Sequence, residues 1–119
     1  MKVTEIACVS YPVTDLARAR QFYEQTLGLV LSRLMGPEET WVEYDLGAAT
    51  LAIGSGVPEW KPSAGGGMVA LEVENFGEAI EHLTMAGFAP FMGPFETPVC
   101  HLAVVSDPDG NSITIHKRK

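Results

Sequence analysis

The sequence predicts an α+β fold made of two βαβββ modules, residues 1–56 and 66–119, joined by a linker over 57–65. Three observations predict it. An apolar run, an Asp or Asn, a helix-period stretch and a Gly-apolar stop occur twice in the same order: Cys8–Leu29 and Met68–Phe88. Asp45-Leu46-Gly47-Ala48-Ala49-Thr50-Leu51-Ala52 then matches Asp107-Pro108-Asp109-Gly110-Asn111-Ser112-Ile113-Thr114 without a gap. Between the halves lies a Pro-, Gly- and Ser-rich stretch that begins at Val57-Pro58 and includes Pro62-Ser63-Ala64-Gly65, the composition of a linker.

The first strand-like run starts at Met1-Lys2-Val3-Thr4-Glu5-Ile6 and continues through Cys8 to Val13. Asp15 is placed to cap a helix, since its side-chain oxygen can accept an otherwise unpaired N–H. Leu16, Ala19, Phe22, Tyr23 and Leu27 then share one helical face. Gly28 provides the left-handed stop. A strand over Thr40–Tyr44 leads into the Asp45–Ala48 turn and a second strand through Gly54. In the other module the strand at Met68–Val73 meets the cap residue Asn75. Phe76, Ala79, Ile80, Leu83 and Met85 or Ala86 form the helical face, and Gly87 ends it. His101–Val105 is a strand. Asp107-Pro108-Asp109-Gly110 is a tight turn, because Pro presets φ and Gly tolerates positive φ. Ser112–His116 is the last strand. One helix and one short sheet bury too little to stand alone, so the modules are expected to pack together or swap between subunits. Periodicity alone fits a ferredoxin-like pair or a generic α+β repeat equally well.

The chain has 119 residues, the size of one domain. It is 46% hydrophobic and 19% charged, enough to fill a core. Its net charge is −7, from 15 acidic and 8 basic residues. Such a surface repels phosphate backbones and anionic lipids, which argues against nucleic acid and membrane partners. Lys117-Arg118-Lys119 reads as a solvated end. No apolar stretch has the length of a signal peptide or membrane span. The expected compartment is the cytoplasm, with Cys8 and Cys100 as thiols.

Val13-Thr14-Asp15-Leu16, with Phe22-Tyr23 and Leu27-Gly28-Leu29, resembles the opening signature of the vicinal-oxygen-chelate superfamily. Its members include glyoxalases, bleomycin-resistance proteins and ring-cleaving (extradiol) dioxygenases. Asp107-Pro108-Asp109-Gly110-Asn111 is similar to the family's closing signature, and the resemblance spans nearly the whole chain. It implies that each module curls into a half-barrel, that the pair forms a cup holding the ligand, and that the protein is a homodimer. Active members place four His or Glu ligands on the first and last strands of the two modules, around a divalent metal acting as a Lewis acid. The resemblance maps those positions onto Cys8, Ala52, Met68 and Thr114, none of which is His, Asp or Glu. Zinc, nickel, iron and manganese want several nitrogen or oxygen donors, so no metal and no cofactor is expected at the usual place. A soft set of Cys8, Met68 and a His would favour copper(I), but no spacing fixes it.

Strand parity with Cys8 and Met68 groups Ile6, Ser10 and Ala70 inward, and Ala52, Gly54, Ser112, Thr114 and His116 on the last strands. His116 shares parity with Thr114, and Glu72 with Met68. His101 shares its face with Ala103 and Val105. His82 reads as surface. Trp41, Trp60, Phe91 and Phe95 are available either as ligand-facing aromatics or as core. The candidate ligand-binding residues are Cys8, Ser10, Trp41, Ala52, Met68, His101, Thr114 and His116. Three readings follow. The first is a small-molecule binder that holds an apolar or aromatic ligand without a standard metal. The second is a lyase, isomerase or dioxygenase using a relocated metal or Cys8 with a His base. The third is an interaction module with a filled interior. Fold does not decide among them.

Overall fold

The computed structural model describes residues 1–119. The chain divides into two compact units, Met1–Pro62 and Ser63–Lys119.

The first unit contains β1 (Val9–Pro12), α1 (Leu16–Arg20), β2 (Arg33–Met35), β3 (Trp41–Leu46) and β4 (Ala49–Gly54). The strands form one sheet in the order β1-β4-β3-β2, with β1 parallel to β4 and the other neighbours antiparallel. The strand expected from Met1 begins only at Val9, and residues 1–8 are exposed and outside it. The cause is the partner: β1 pairs in parallel with β4, Val9 opposite Leu51, and β4 starts just two residues earlier at Ala49. Without a partner, β-prone residues such as Val3 and Ile6 do not make a strand.

Asp15 caps α1 as expected, accepting the Arg18 N–H at 3.0 Å. After Arg20 the helix widens into a π-helical segment, Gln21–Thr26, closed by Leu27 N–H to Phe22 O at 2.9 Å. The consecutive Phe22 and Tyr23 are both buried there, with rings edge to face at 5.1 Å. Val42, Tyr44, Leu51 and Ile53 share one sheet face by register and are buried. Tyr44 stacks on Tyr23 at 6.2 Å, which joins that face to the helical segment. Burying an apolar side chain of Leu or Ile size contributes roughly 1.5–3 kcal/mol.

The Tyr44 hydroxyl ends in a polar partner. It donates to Glu24 Oε2 at 2.9 Å, and Arg20 Nε donates to the same oxygen at 2.7 Å. The Arg20 bond, opposed by desolvation and helped by Tyr44, holds the Glu24 carboxyl below its usual range. Burial first, then Glu24, pushes the Tyr44 hydroxyl well above the ordinary tyrosine range. Linkage fixes the signs. The Glu24 contribution is complete above about pH 4.3, the free carboxylate value, and fades as pH falls toward its lower folded value. The Tyr44 contribution is complete below about pH 10 and fades as pH climbs from there. Urea midpoints against pH should therefore show an acid limb flattened by Glu24→Gln and an alkaline limb flattened by Tyr44→Phe. Unchanged limbs would remove this pair from the pH dependence.

The second unit repeats the plan with β5 (Val69–Glu72), α2 (Phe76–Met85), β6 (Met92–Glu96), β7 (Cys100–Ser106) and β8 (Ser112–Arg118). Its sheet order is β5-β8-β7-β6, again with the first strand parallel to the last. Asn75 caps α2 through Glu78 N–H at 3.0 Å. Leu83 is the buried residue of α2, whereas Met85 is 82% exposed. Ala103, Val105, Ile113 and Ile115 form the buried sheet face. No helix is long and apolar enough to cross a membrane.

Candidate functional site

Each sheet has a second face, opposite its buried one, and the sequence-predicted residues fall mostly there. In the first unit one row crosses the sheet through Ser10, Ala52, Glu43 and Arg33. The next runs through Pro12, Gly54, Trp41 and Met35. Ser10 and Trp41 are partly exposed, and Ala52 is fully buried. Cys8 precedes β1 and is exposed.

Trp41 is held from three sides. Its indole stacks on Trp60 with ring centroids 6.2 Å apart and planes 25° apart, an offset geometry that suits two quadrupoles. Its Nε1–H donates to Glu43 Oε2 at 2.8 Å. Beneath it lies Gly54, where a Cβ would sit 2.8 Å from Trp41 Cε3 and 3.2 Å from Trp60 Cζ3. Glu43 is itself fixed. Arg33 Nε donates to Glu43 Oε1 at 2.7 Å, and its outer nitrogens donate to both Asp45 oxygens at 3.1 and 2.7 Å. Asp45 also accepts the Thr50 hydroxyl at 2.9 Å. The Trp41 bond, then Arg33, keeps the Glu43 carboxyl below its usual range; Arg33, then Thr50, does the same for Asp45. Both carboxylates therefore stay ionised at neutral pH and orient the arginine and the indole. Sequence reasoning did not single out Arg33, Glu43 or Asp45. The alternation Trp41, Glu43, Asp45 along one face of β3 was the signal that could have found two of them.

In the second unit one row runs Ala70, Thr114, Val104 and Met92, and the next runs Glu72, His116, Leu102 and Phe95. Thr114 Oγ1 donates to Met68 Sδ at 3.0 Å. His116 Nδ1 lies 2.5 Å from Glu72 Oε2. His101 is set apart from these residues. It shares the buried face of β7 with Ala103 and Val105 and stacks on Phe76 of α2 at 5.6 Å. Phe91 and Phe95 are 52% and 48% exposed.

The four positions to which the resemblance assigns metal ligands do not form a set for a hard or borderline cation. Ala52 ends in a buried methyl group, and the Thr114 hydroxyl is already spent on the Met68 sulfur. No three His, Cys, Asp or Glu side chains gather closely enough to hold a metal. As for the thiol nucleophile expected at Cys8, that cysteine is exposed ahead of β1, whereas Cys100 is buried with its Sγ 3.2 Å from Thr97 Oγ1; His101 stacks on Phe76, and His116 pairs with Glu72.

Residues 5–115 match the family described as the glyoxalase/bleomycin resistance protein/dioxygenase superfamily. Among solved structures, TnmS3, described as an antibiotic binding protein from Streptomyces sp. CB03234, superposes with a TM-score of 0.82 at 26% identity, covering 100% of this chain and 99% of that one. A glyoxalase/bleomycin resistance protein from the same organism gives 0.78 at 29% identity, covering 93% and 98%. A putative glyoxalase family protein from Bacillus anthracis gives 0.80 at 23% identity over 100% and 98%, a likeness of fold. No protein of curated function matches the chain.

Proposed function

Because the chain belongs to the glyoxalase/bleomycin resistance protein/dioxygenase superfamily, we propose that it binds a small apolar or aromatic molecule and does so without that superfamily's standard divalent metal. The observation that carries this reading is the tryptophan platform. An indole fixed by a stack, a hydrogen bond to Glu43 and a glycine floor is preorganised to receive a flat ring, and preorganisation lowers the entropy cost of binding. Two further facts support it. Cys8, Ala52, Met68 and Thr114 supply no carboxylate or imidazole, and a structure at 26% identity is described as an antibiotic binding protein. The reading includes a cytoplasmic homodimer, since each unit carries one helix or helical segment on one four-stranded sheet and exposes apolar residues such as Val30 and Phe91.

The chain has two tryptophans, Trp41 and Trp60, and they form the platform, so fluorescence excited at the red edge of the indole band, where the three tyrosines do not absorb, reports on it alone. Chelator-treated protein should show saturable quenching with members of a panel of fused-ring aromatic, antibiotic-like molecules. Trp41→Ala should weaken that binding about tenfold, the order of one aromatic stack. Light scattering should give twice the chain mass. Tightly retained stoichiometric metal, or affinity that disappears on chelation and returns with nickel, zinc, manganese or iron, would sink the metal-free reading.

A further inference from the structure

The second sheet carries a polar pair that the tryptophan platform does not use. Glu72 and His116 stand opposite each other across the parallel β5–β8 pair. Glu72 Oε2 meets His116 Nδ1 at 2.5 Å, and its other oxygen accepts the Arg118 backbone N–H at 2.7 Å. The Arg118 N–H, then His116, holds the Glu72 carboxyl below its usual range. An ionised carboxylate only accepts hydrogen bonds, so the ring hydrogen sits on Nδ1. The Nε2 lone pair of neutral His116 then points away from Glu72, and no protein hydrogen bond reaches it. The His116 side chain is 25% exposed, so Nε2 is within reach of a solute.

The surroundings define what could arrive. The row through Glu72 and His116 continues into Leu102 and Phe95, with Met92 in the row beside it. Phe95 and Met92 are 48% and 49% exposed. A fixed acceptor therefore stands beside an apolar strip, the usual composition of a small-molecule site. Among titratable groups on this face, β5 presents Glu72 to the ring, β8 presents Arg118 two residues on, and β7 presents the Cys100 thiol in the adjacent row beside uncharged Leu102.

We propose that Glu72 and His116 form a proton-accepting subsite for a weakly acidic hydroxyl, a phenol or enol, carried by a flat apolar molecule lying along Leu102 and Phe95. The ligand O–H bond breaks and its electron pair stays on oxygen. The proton goes to His116 Nε2, and the resulting imidazolium keeps its Nδ1–H bond to Glu72. The bound state is an oxyanion beside an imidazolium and a carboxylate, with the Arg118 charge close by. No oxidant or further reactant is consumed. The proposal concerns the second unit alone and does not rest on the tryptophan platform.

4-Nitrophenol is a direct probe, because its anion and its neutral form differ in visible absorbance. Its methyl ether, 4-nitroanisole, has the same ring and no proton to give. Near neutral pH, where free 4-nitrophenol is only partly ionised and an ordinary imidazole is mostly uncharged, the unmodified protein should raise the anion band on binding. It should also favour the phenol over the ether by about tenfold or more. His116→Gln should remove both the band and that preference. Glu72→Gln keeps the imidazole and removes the charge behind it, and should remove the band. Equal affinity for phenol and ether, binding of the phenol in its neutral form, or an anion band that survives His116→Gln would each overturn the proposal. Failure of both probes to bind would overturn it too. Because the phenol–ether comparison uses unmodified protein, a variant that fails to fold does not rescue it.

Discussion

Asp107→Ala is expected to lower the stability of the second unit by roughly 3 kcal/mol, from two or three orphaned buried donors. Asp107 is 3% exposed and organises the turn between β7 and β8. Its Oδ1 accepts the backbone N–H groups of Asp109 and Asn111, each at 2.9 Å. Its Oδ2 accepts Asn111 Nδ2 at 2.8 Å. Asn111 is 1% exposed and passes the connection on, its Oδ1 accepting the Ser63 N–H at 3.1 Å. Alanine removes the acceptors and strands the donors out of water, which costs more than the bonds themselves contribute. Asn111→Ala should cost a similar amount, because it breaks the same bond and frees Ser63. The double variant should cost much less than the sum, since the two residues act through shared contacts. Urea unfolding of the two single variants and the double variant measures this. A single variant within about 0.5 kcal/mol of the parent, the scatter of ordinary surface changes, would show that the turn does not depend on the carboxylate. Asp45 is the contrasting case. It occupies the matching place in the first unit but is exposed, bonded to Arg33 and Thr50, so Asp45→Ala should cost well under half as much.

That contrast marks what the sequence made legible. The gapless match of Asp45–Ala52 with Asp107–Thr114 correctly announced two copies of one plan. Caps, stops and tight turns are local, and Asp15, Asn75, Gly28 and Gly87 carry their own signals; Gly28 and Gly87 have φ of 76° and 91°. The match could not announce environment, because burial of Asp107 and exposure of Asp45 depend on what packs nearby. The start of β1 was hidden for the same reason: Val3 and Ile6 are good strand formers, but the length of β4 decides where pairing begins. The edge strands β2 and β6 had no periodic signal, since each is defined by its pairing with β3 or β7. At the candidate sites, strand parity correctly joined Ser10 to Ala52 and Thr114 to His116. It also put His101 with Ala103 and Val105, but only the structure adds that this face is buried and that the imidazole stacks on Phe76. The Trp41–Trp60 stack joins residues nineteen apart through an irregular segment, a contact that no local rule specifies.

Gly54→Val is expected to weaken aromatic ligand binding by more than tenfold and to cost about 1–3 kcal/mol of stability. The sign is not obvious from secondary structure. Glycine inside a strand costs about 0.5–1 kcal/mol relative to alanine, and valine suits a strand better still, so an open position would gain from the change. Distance decides the outcome. A Cβ at residue 54 would lie 2.8 Å from Trp41 Cε3, closer than carbon atoms tolerate, and 3.1 Å from Cζ3, a contact that requires the ring to give. The ring cannot swing aside cheaply, because it is bonded to Glu43 at 2.8 Å and stacked on Trp60. Either the indole leaves its seat, with loss of the stack and the hydrogen bond, or β4 shifts against β3. The first outcome alters tryptophan fluorescence and binding, whereas the second appears mainly as lost stability. The decisive comparison is reciprocal. With Trp41→Ala already in place the closest obstruction is gone and only Trp60 Cζ3, at 3.2 Å, still crowds the position, so adding Gly54→Val should cost much less than it does in the parent. A penalty of the same size in both backgrounds would mean that something other than the Trp41 ring requires glycine. The platform would then lose its floor as an explanation for why the sheet has no side chain there.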